Sequence, residues 1–156
     1  MSKSLKRVMQ ALADAGMTAA PLEMPDETRT APQAAAAAGC ALDQIVKSIL
    51  FQGAESGRLF LFLTAGGNQV DPARAAALAG EAVGRASPDE VRRVTGFAIG
   101  GVAPLGHLSP LPSWLDPRLM DFPLVWGAAG TPRHIFPIAP DALHRLTGAT
   151  LAAFTA

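Results

Sequence analysis

The sequence predicts a single α+β domain, a mixed β-sheet with short helices around it. Three observations lead there. Two adjacent runs, Ile45 to Phe51 and Leu59 to Thr64, read as strands joined by a turn-rich segment. The helical patterns on either side are short, and most end at a Gly. Helices and strands also interleave with no regular βαβ period, and no internal repeat or linker interrupts the 156 residues.

Taken in order, Leu5, Val8, Met9 and Leu12 fall at i, i+3, i+4 and i+7, the spacing of one helix face, with Ser2 or Ser4 as cap and Gly16 as stop. Lys3, Lys6 and Arg7 of this helix read as a solvated face, with an RNA phosphate contact as the alternative. After an extended stretch at 21–25, Thr30 caps a second helix through the Ala run 34–38, with Pro32 in its first turn and Gly39 at its end. In the second strand Leu59, Leu61 and Leu63 point to one face and Phe60 and Phe62 to the other, so both faces are covered and the strand is central. Asp71 and Pro72 open a helix closed by Gly80, and Ser87 to Glu90 read as a capping box for a helix closed by Gly96. Strands follow around Trp114–Leu115, from Leu124 to Trp126 and from His134 to Ile138, and a helix from Pro140 to Thr147 ends at Gly148.

Composition narrows the function. Of the 49% apolar residues many are Ala, 31 in all, so the other aliphatic and aromatic side chains must build the core, enough for one compact domain. Thirteen cations balance thirteen anions, which argues against a protein that grips duplex by neutralising many phosphates; DNA is not an expected partner, whereas brief contact with an RNA end is compatible. The N-terminal stretch carries charges where a secretory signal is apolar, and no window is apolar enough to span a membrane, so the expected location is the cytoplasm. One Cys and three His without ligand spacing offer no metal site, and no cofactor motif is present. Cys40, after a helix-ending Gly, reads as a packed thiol, and His144 as a solvated or capping residue.

Three features carry chemistry. Lysine occurs three times, and Lys47 alone sits inside an apolar run, where an ammonium needs a partner or a purpose: an edge-strand guard against aggregation, or a cation lining a pocket for phosphate or carboxylate. The Gly-rich segment 96–106 has neither nucleotide-binding spacing, but its glycines let backbone approach a ligand and aim N–H groups at an oxyanion, or else form a tight connection. His134, four residues after Gly130, lies in a loop entering a strand, as a packing residue or a functional one.

Thr28, Arg29 and Thr30 before the Ala-rich helix, Gly39-Cys40, Ile45-Val46-Lys47-Ser48, Gly100 with Pro104 four residues on, and Gly130 with His134 together resemble the YbaK/prolyl-tRNA synthetase-associated editing domain family, over about residues 20–150. The resemblance implies that family's fold and a freestanding domain acting in trans on aminoacyl-tRNA, cutting the ester to a small noncognate amino acid such as Ala, Ser, Thr or Cys on proline tRNA. It implies that Lys47 contacts the 3′-terminal adenosine region, that the loop from Gly100 and Gly101 through Val102 and Ala103 to Pro104 turns its amides toward the ester, and that His134 positions the aminoacyl group. Thr28, Arg29, Thr30, Ser48 and Gly130 fall at its substrate-binding positions, and a prolyl-tRNA synthetase is a further implied partner. Ser48 departs from the alanine-specific branch, which usually has Asn after the pocket Lys. Two other classes stay open: a non-catalytic module that binds aminoacyl-tRNA, and a small-molecule protein that uses Lys47 for phosphate or carboxylate.

Overall fold

The computed structural model describes residues 2–18, 20–25 and 30–156, and the fold is the expected α+β domain. The first helix, α1 (Lys3–Asp14), is capped by the Ser2 hydroxyl, which accepts from the Leu5 amide, and it buries Leu5, Val8 and Leu12. Each of those side chains contributes about 2 kcal/mol by leaving water. Two residues, Leu22–Glu23, form the short strand β1. The Ala run forms α2 (Ala31–Ala38), where Thr30 and Gln33 make a reciprocal capping box and Gly39, at φ +69°, terminates the helix.

A 3₁₀ turn at Leu42–Gln44 leads into β2 (Ile45–Gly53), which pairs antiparallel along its length with β3 (Leu59–Ala65). Every residue of β3 is buried, as its apolar run on both faces requires. The chain continues through α3 (Pro72–Ala79), β4 (Val83–Arg85), α4 (Pro88–Thr95), β5 (Ser113–Leu115), a 3₁₀ turn at Pro117–Asp121, β6 (Val125–Ala128), β7 (His134–Ile138), α5 (Pro140–Thr147) and β8 (Thr150–Leu151). One strand path runs β1-β7-β6-β2-β3-β5-β8, with parallel pairs at β2–β6, β3–β5 and β5–β8, so the sheet is mixed and β3 is internal.

Side chains alternate across β2 and β3. Val46 and Leu50 share a face with Leu61, Leu63 and Ala65 and meet the main core under α1 and α4. Ile49 and Phe51 share the other face with Phe60 and Phe62, where Trp114 stacks on Phe62 at 4.9 Å and Phe154 meets it edge-on at 5.1 Å. Lys47 and Ser48 therefore leave β2 on opposite faces.

Opposite β3, the other edge of β2 is shared between two strands. Ile45 and Val46 pair with β6, and Phe51 to Gly53 pair with β4. Between them, Lys47 to Leu50 have no strand neighbour on that edge, so the sheet is split at its centre.

Two local expectations are corrected. Ser87 is the N-cap of α4, but its side chain caps nothing, and Glu90 accepts instead from Arg93, so no capping box forms. The Ser87 amide that Glu90 would have satisfied donates instead to Gln52 Oε1 at 3.0 Å. On α1, Lys3 and Lys6 are exposed as a solvated face requires, but Arg7 is half-buried and its guanidinium is committed to backbone carbonyls elsewhere in the fold. No helix among the described residues is long and apolar enough to cross a membrane.

Candidate functional site

The split in the sheet opens into a cavity of about 780 Å³. Its walls are β2 from Ile45 to Leu50, the start of α2 from Thr30, Gly66 and Gly67 after β3, Arg85 and Ala86, the tip of the Gly-rich loop at Ile99, Gly100 and Val102, and Trp126 to Ala128 of β6. A strand whose edge is missing its neighbour offers unpaired backbone polar groups, and here they face a cavity large enough for a ligand.

Lys47 lines this cavity and is half-buried. Its ammonium donates to the Asn68 carbonyl at 2.5 Å. The Asn68 side-chain amide in turn donates to Asp116 Oδ2 at 2.9 Å, and that buried carboxylate also accepts from the Ala65 amide at 3.1 Å and, through Oδ1, from the Arg118 amide at 3.0 Å. A second carboxylate, Asp43, accepts from the Gly67 amide at 2.8 Å and from Arg118 Nε at 3.0 Å. The turn 65–68 is thus held by two carboxylates, one of them buried, and presents a carbonyl to Lys47. Burial lowers the Lys47 pKa from its ordinary value, and the charges of Asp116 and Asp43 act in the opposite direction. Gly66 and Gly67 are needed because a Cβ at either would run into Leu42 or Asp43.

Ser48, on the other face of β2, also lines the cavity, and its Oγ is buried without a hydrogen-bond partner among the described residues. An orphaned hydroxyl costs about 1–3 kcal/mol unless something else satisfies it. Thr30 contributes at the capped start of α2.

The loop opposite is built on a turn. The Gly101 amide donates to the Ala98 carbonyl at 3.0 Å across Ile99 and Gly100, and φ of +96° at Gly100 with a non-positive φ at Ile99 is the type II pattern, which demands Gly there. The Gly101 amide is therefore already used, while the Val102 and Ala103 amides have no acceptor among the described residues. Gly100 and Val102 line the cavity; Gly101, Ala103 and Pro104 lie behind it. A Cβ on Gly101 would come within 3.0–3.3 Å of the Thr131 and Pro132 backbone, and Pro104 packs on Gly127 so closely that a Cβ there would lie 3.1 Å away. The Gly at 101 thus permits the approach of another loop, not of a ligand.

That other loop carries Gly130 and His134. Gly130 has φ +92°, and a Cβ there would meet the Ser4 carbonyl and the Phe97 ring. His134 opens β7, half-buried, with Nδ1 2.7 Å from Thr131 Oγ1, and neither it nor Gly130 lines the cavity. Lys47, Ser48, Thr30, Gly100 and Val102 are thus gathered around one space, with Gly101, Ala103 and Pro104 backing it and the Gly130–His134 turn packed behind Gly101. Thr28 and Arg29 lie outside the described residues. Cys40 packs against the small cluster beneath α2, and burial raises its thiol pKa.

Sequence reasoning missed Asn68, Asp116, Asp43 and Arg85. The signals were there: Gly-Gly-Asn at the end of a wholly buried strand, and an Asp-Pro pair directly after buried Leu115. Among the described cavity-lining residues the ionisable side chains are Lys47 and Arg85, both cationic. Such a space suits an anionic or oxygen-rich ligand, with backbone amides as its hydrogen-bond donors.

Residues 25–146 match the aminoacyl-tRNA editing domain family. The Bacillus subtilis (strain 168) protein YwhH, itself uncharacterised, is 32% identical over 121 residues, 78% of this chain and 76% of its own. A solved structure described as a candidate trans-editing enzyme for prolyl tRNA synthetase is 46% identical with a TM-score of 0.92, covering 100% of this chain and 99% of that one. A scaffold protein used in epitope grafting for the presentation of linear epitopes is 43% identical, with a TM-score of 0.92 and coverage of 100% and 99%.

Proposed function

The chain belongs to the aminoacyl-tRNA editing domain family, and from that membership we propose that it is a trans-acting deacylase that hydrolyses the ester of proline tRNA carrying a small noncognate amino acid. The observation that carries the reading is the cavity at the split in the sheet, with Lys47 on one side and the Gly100–Val102 backbone on the other. The likeness to a protein described as a candidate trans-editing enzyme for prolyl tRNA synthetase supports the choice of tRNA.

In this reading Lys47, held by the Asn68 carbonyl and backed by Asp116, binds the oxygen-rich terminal adenosine region of the acceptor end. Arg85 adds positive charge to the same rim. The aminoacyl group enters the cavity, and its size limits the side chain admitted; one methylene discriminates by only about 1–3 kcal/mol, so several small amino acids are accepted. Ser48 Oγ, lacking an internal partner, hydrogen-bonds the substrate.

Hydrolysis adds water across the ester. The water oxygen attacks the carbonyl carbon, the negative charge that develops on the carbonyl oxygen is met by the Val102 amide at the cavity wall, and the bond to the ribose oxygen then breaks. One such donor is worth about 3–4 kcal/mol. With no carboxylate among the described lining residues to take the water proton, the vicinal ribose hydroxyl relays it to the departing oxygen, and His134 acts from behind the loop, holding Thr131 where it packs against Gly101. The products are the free amino acid and uncharged tRNA.

The test is incubation with proline tRNA charged in turn with Ala, Ser, Thr and Cys, following loss of the ester. Cleavage above the protein-free rate is expected for at least one small noncognate amino acid. Binding of charged tRNA with no change in ester lifetime would instead make the protein a non-catalytic aminoacyl-tRNA module, and retention of free phosphates or carboxylates without tRNA binding a small-molecule one.

A further inference from the structure

The family match begins at residue 25, so α1 lies outside what that membership describes. Yet Arg7 of α1 reaches the Gly-rich loop at both ends. Its Nε donates to the Gly106 carbonyl at 3.0 Å and its Nη2 to the Gly96 carbonyl at 2.8 Å, while the guanidinium lies over the Phe97 ring, 4.6 Å from its centroid. Gly96 is glycine on two counts: its φ is +79°, and a Cβ would strike the Arg7 guanidinium. Phe97 in turn meets the His107 ring edge-on at 6.0 Å, and His107 Nε2 lies 2.7 Å from the Ala103 carbonyl inside the loop. The contacts run without a gap from α1 to Ala103, the residue next to Val102 of the cavity wall.

Arg7 makes no ion pair with a described carboxylate; its donors go to two neutral carbonyls ten residues apart, the two feet of the loop. A planar fork with separate donors can tie two acceptors and lie on a ring at once, which an ammonium cannot. We infer that Arg7 is a positioning residue for the deacylation loop, a clamp that sets the distance between Gly96 and Gly106 and thereby the orientation of the Val102 amide at the cavity wall. This rests on the deacylase reading above for its catalytic consequence, but not for its structural one. Without the clamp the loop ends are free to separate, and a displacement on the order of 1 Å at reacting groups costs about 10²-fold in rate.

The experiment compares Arg7→Ala, Arg7→Lys and, as a control on the same helix, Lys6→Ala with the wild type. Amide hydrogen exchange over residues 97–106 is read alongside kcat and KM on the charged tRNA that the wild type cleaves. In Arg7→Ala, exchange in that loop is expected to rise at least ~tenfold while β2 and β3 stay protected, and kcat to fall at least ~tenfold with KM within about twofold. Millimolar guanidinium restores part of kcat, Arg7→Lys falls between, and Lys6→Ala matches the wild type. A raised KM with unchanged kcat would make Arg7 a phosphate contact and overturn the inference, as would unchanged loop exchange. If the wild type itself cleaves no charged tRNA, the deacylase reading fails, while the exchange data still decide whether Arg7 holds the loop. If Arg7→Ala does not fold, Arg7→Lys decides: loop exchange and kcat equal to the wild type would overturn the clamp.

Discussion

The Lys47 ammonium is bonded to the main-chain carbonyl of Asn68 at 2.5 Å, linking the strand that borders the split in the sheet to the turn that follows its neighbour. A carbonyl is neutral, so it sets the position of Lys47 without cancelling the ammonium's charge toward the cavity. The two nearby carboxylates contact the turn and not the ammonium itself. A structural lysine would be expected to pair directly with one of them.

The stability of Lys47→Met should separate these roles. Burial lowers the lysine pKa in the folded state, so at neutral pH the folded protein holds a proton less readily than the unfolded chain, and the charge works against folding there. Removing it is expected to leave the urea midpoint unchanged or raised while deacylation is lost. A marked drop in midpoint would mean that Lys47 holds the fold together.

Asp116 is expected to behave oppositely. Its carboxylate satisfies two backbone amides and the Asn68 side chain in a buried setting. Asp116→Ala leaves them without an acceptor and should lower unfolding stability by about 3 kcal/mol or more. Asp116→Asn, which keeps one acceptor oxygen, should fall between. An unchanged urea midpoint in Asp116→Ala would show that water replaces the carboxylate.

His107 gives stability a pH dependence. Burial, with the Arg7 charge as a smaller contribution in the same direction, lowers its pKa from 6.5. Above pH 6.5 the group is neutral in both states. As pH falls below that, the unfolded chain takes the proton first, so stability declines until the folded imidazole also titrates. A Tm series from neutral to mildly acidic pH should show this decline in the wild type and a flatter profile in His107→Gln. Equal slopes in both would assign the decline to other groups.

Specificity should follow His134 and Ser48. A substrate that carries its own thiol nucleophile needs no bound water, so a site whose loop, backed by His134 through Thr131, positions water favours Ala, Ser or a similarly small residue over Cys. His134→Ala is expected to cost roughly 10²-fold through misplacement of the loop, and Cys40→Ser to leave turnover intact. Fastest cleavage of Cys-tRNA with indifference to His134→Ala would move the protein to a thiol-driven chemistry.

Much of this was legible in the chain. The helix stops at Gly39, Gly80, Gly96 and Gly148 are all left-handed caps, and the alternating Leu and Phe of β3 disclose a strand buried on both faces. Lys47 stood out because a charge inside an apolar run has few explanations. The short strands β1, β4 and β8 did not stand out, since two or three residues carry no period and their pairing is decided by distant partners. For the same reason the split beside Lys47 was invisible: it depends on where β6 stops and β4 begins along β2. The Asp43 and Asp116 supports and the Arg7 clamp join residues 24 to 99 positions apart, and an exposed cation and a clamped one look alike in sequence.

The most direct measurement is ester loss from proline tRNA charged with Ala or Ser, followed for the wild type, Lys47→Ala and a protein-free control under the same conditions. The account predicts cleavage by the wild type well above the control and a rate at least ~tenfold lower for a folded Lys47→Ala, the loss expected when a group that orients the substrate is removed. Wild-type and variant proteins that cleave at the same rate would contradict the assignment of the chemistry to the cavity beside Lys47.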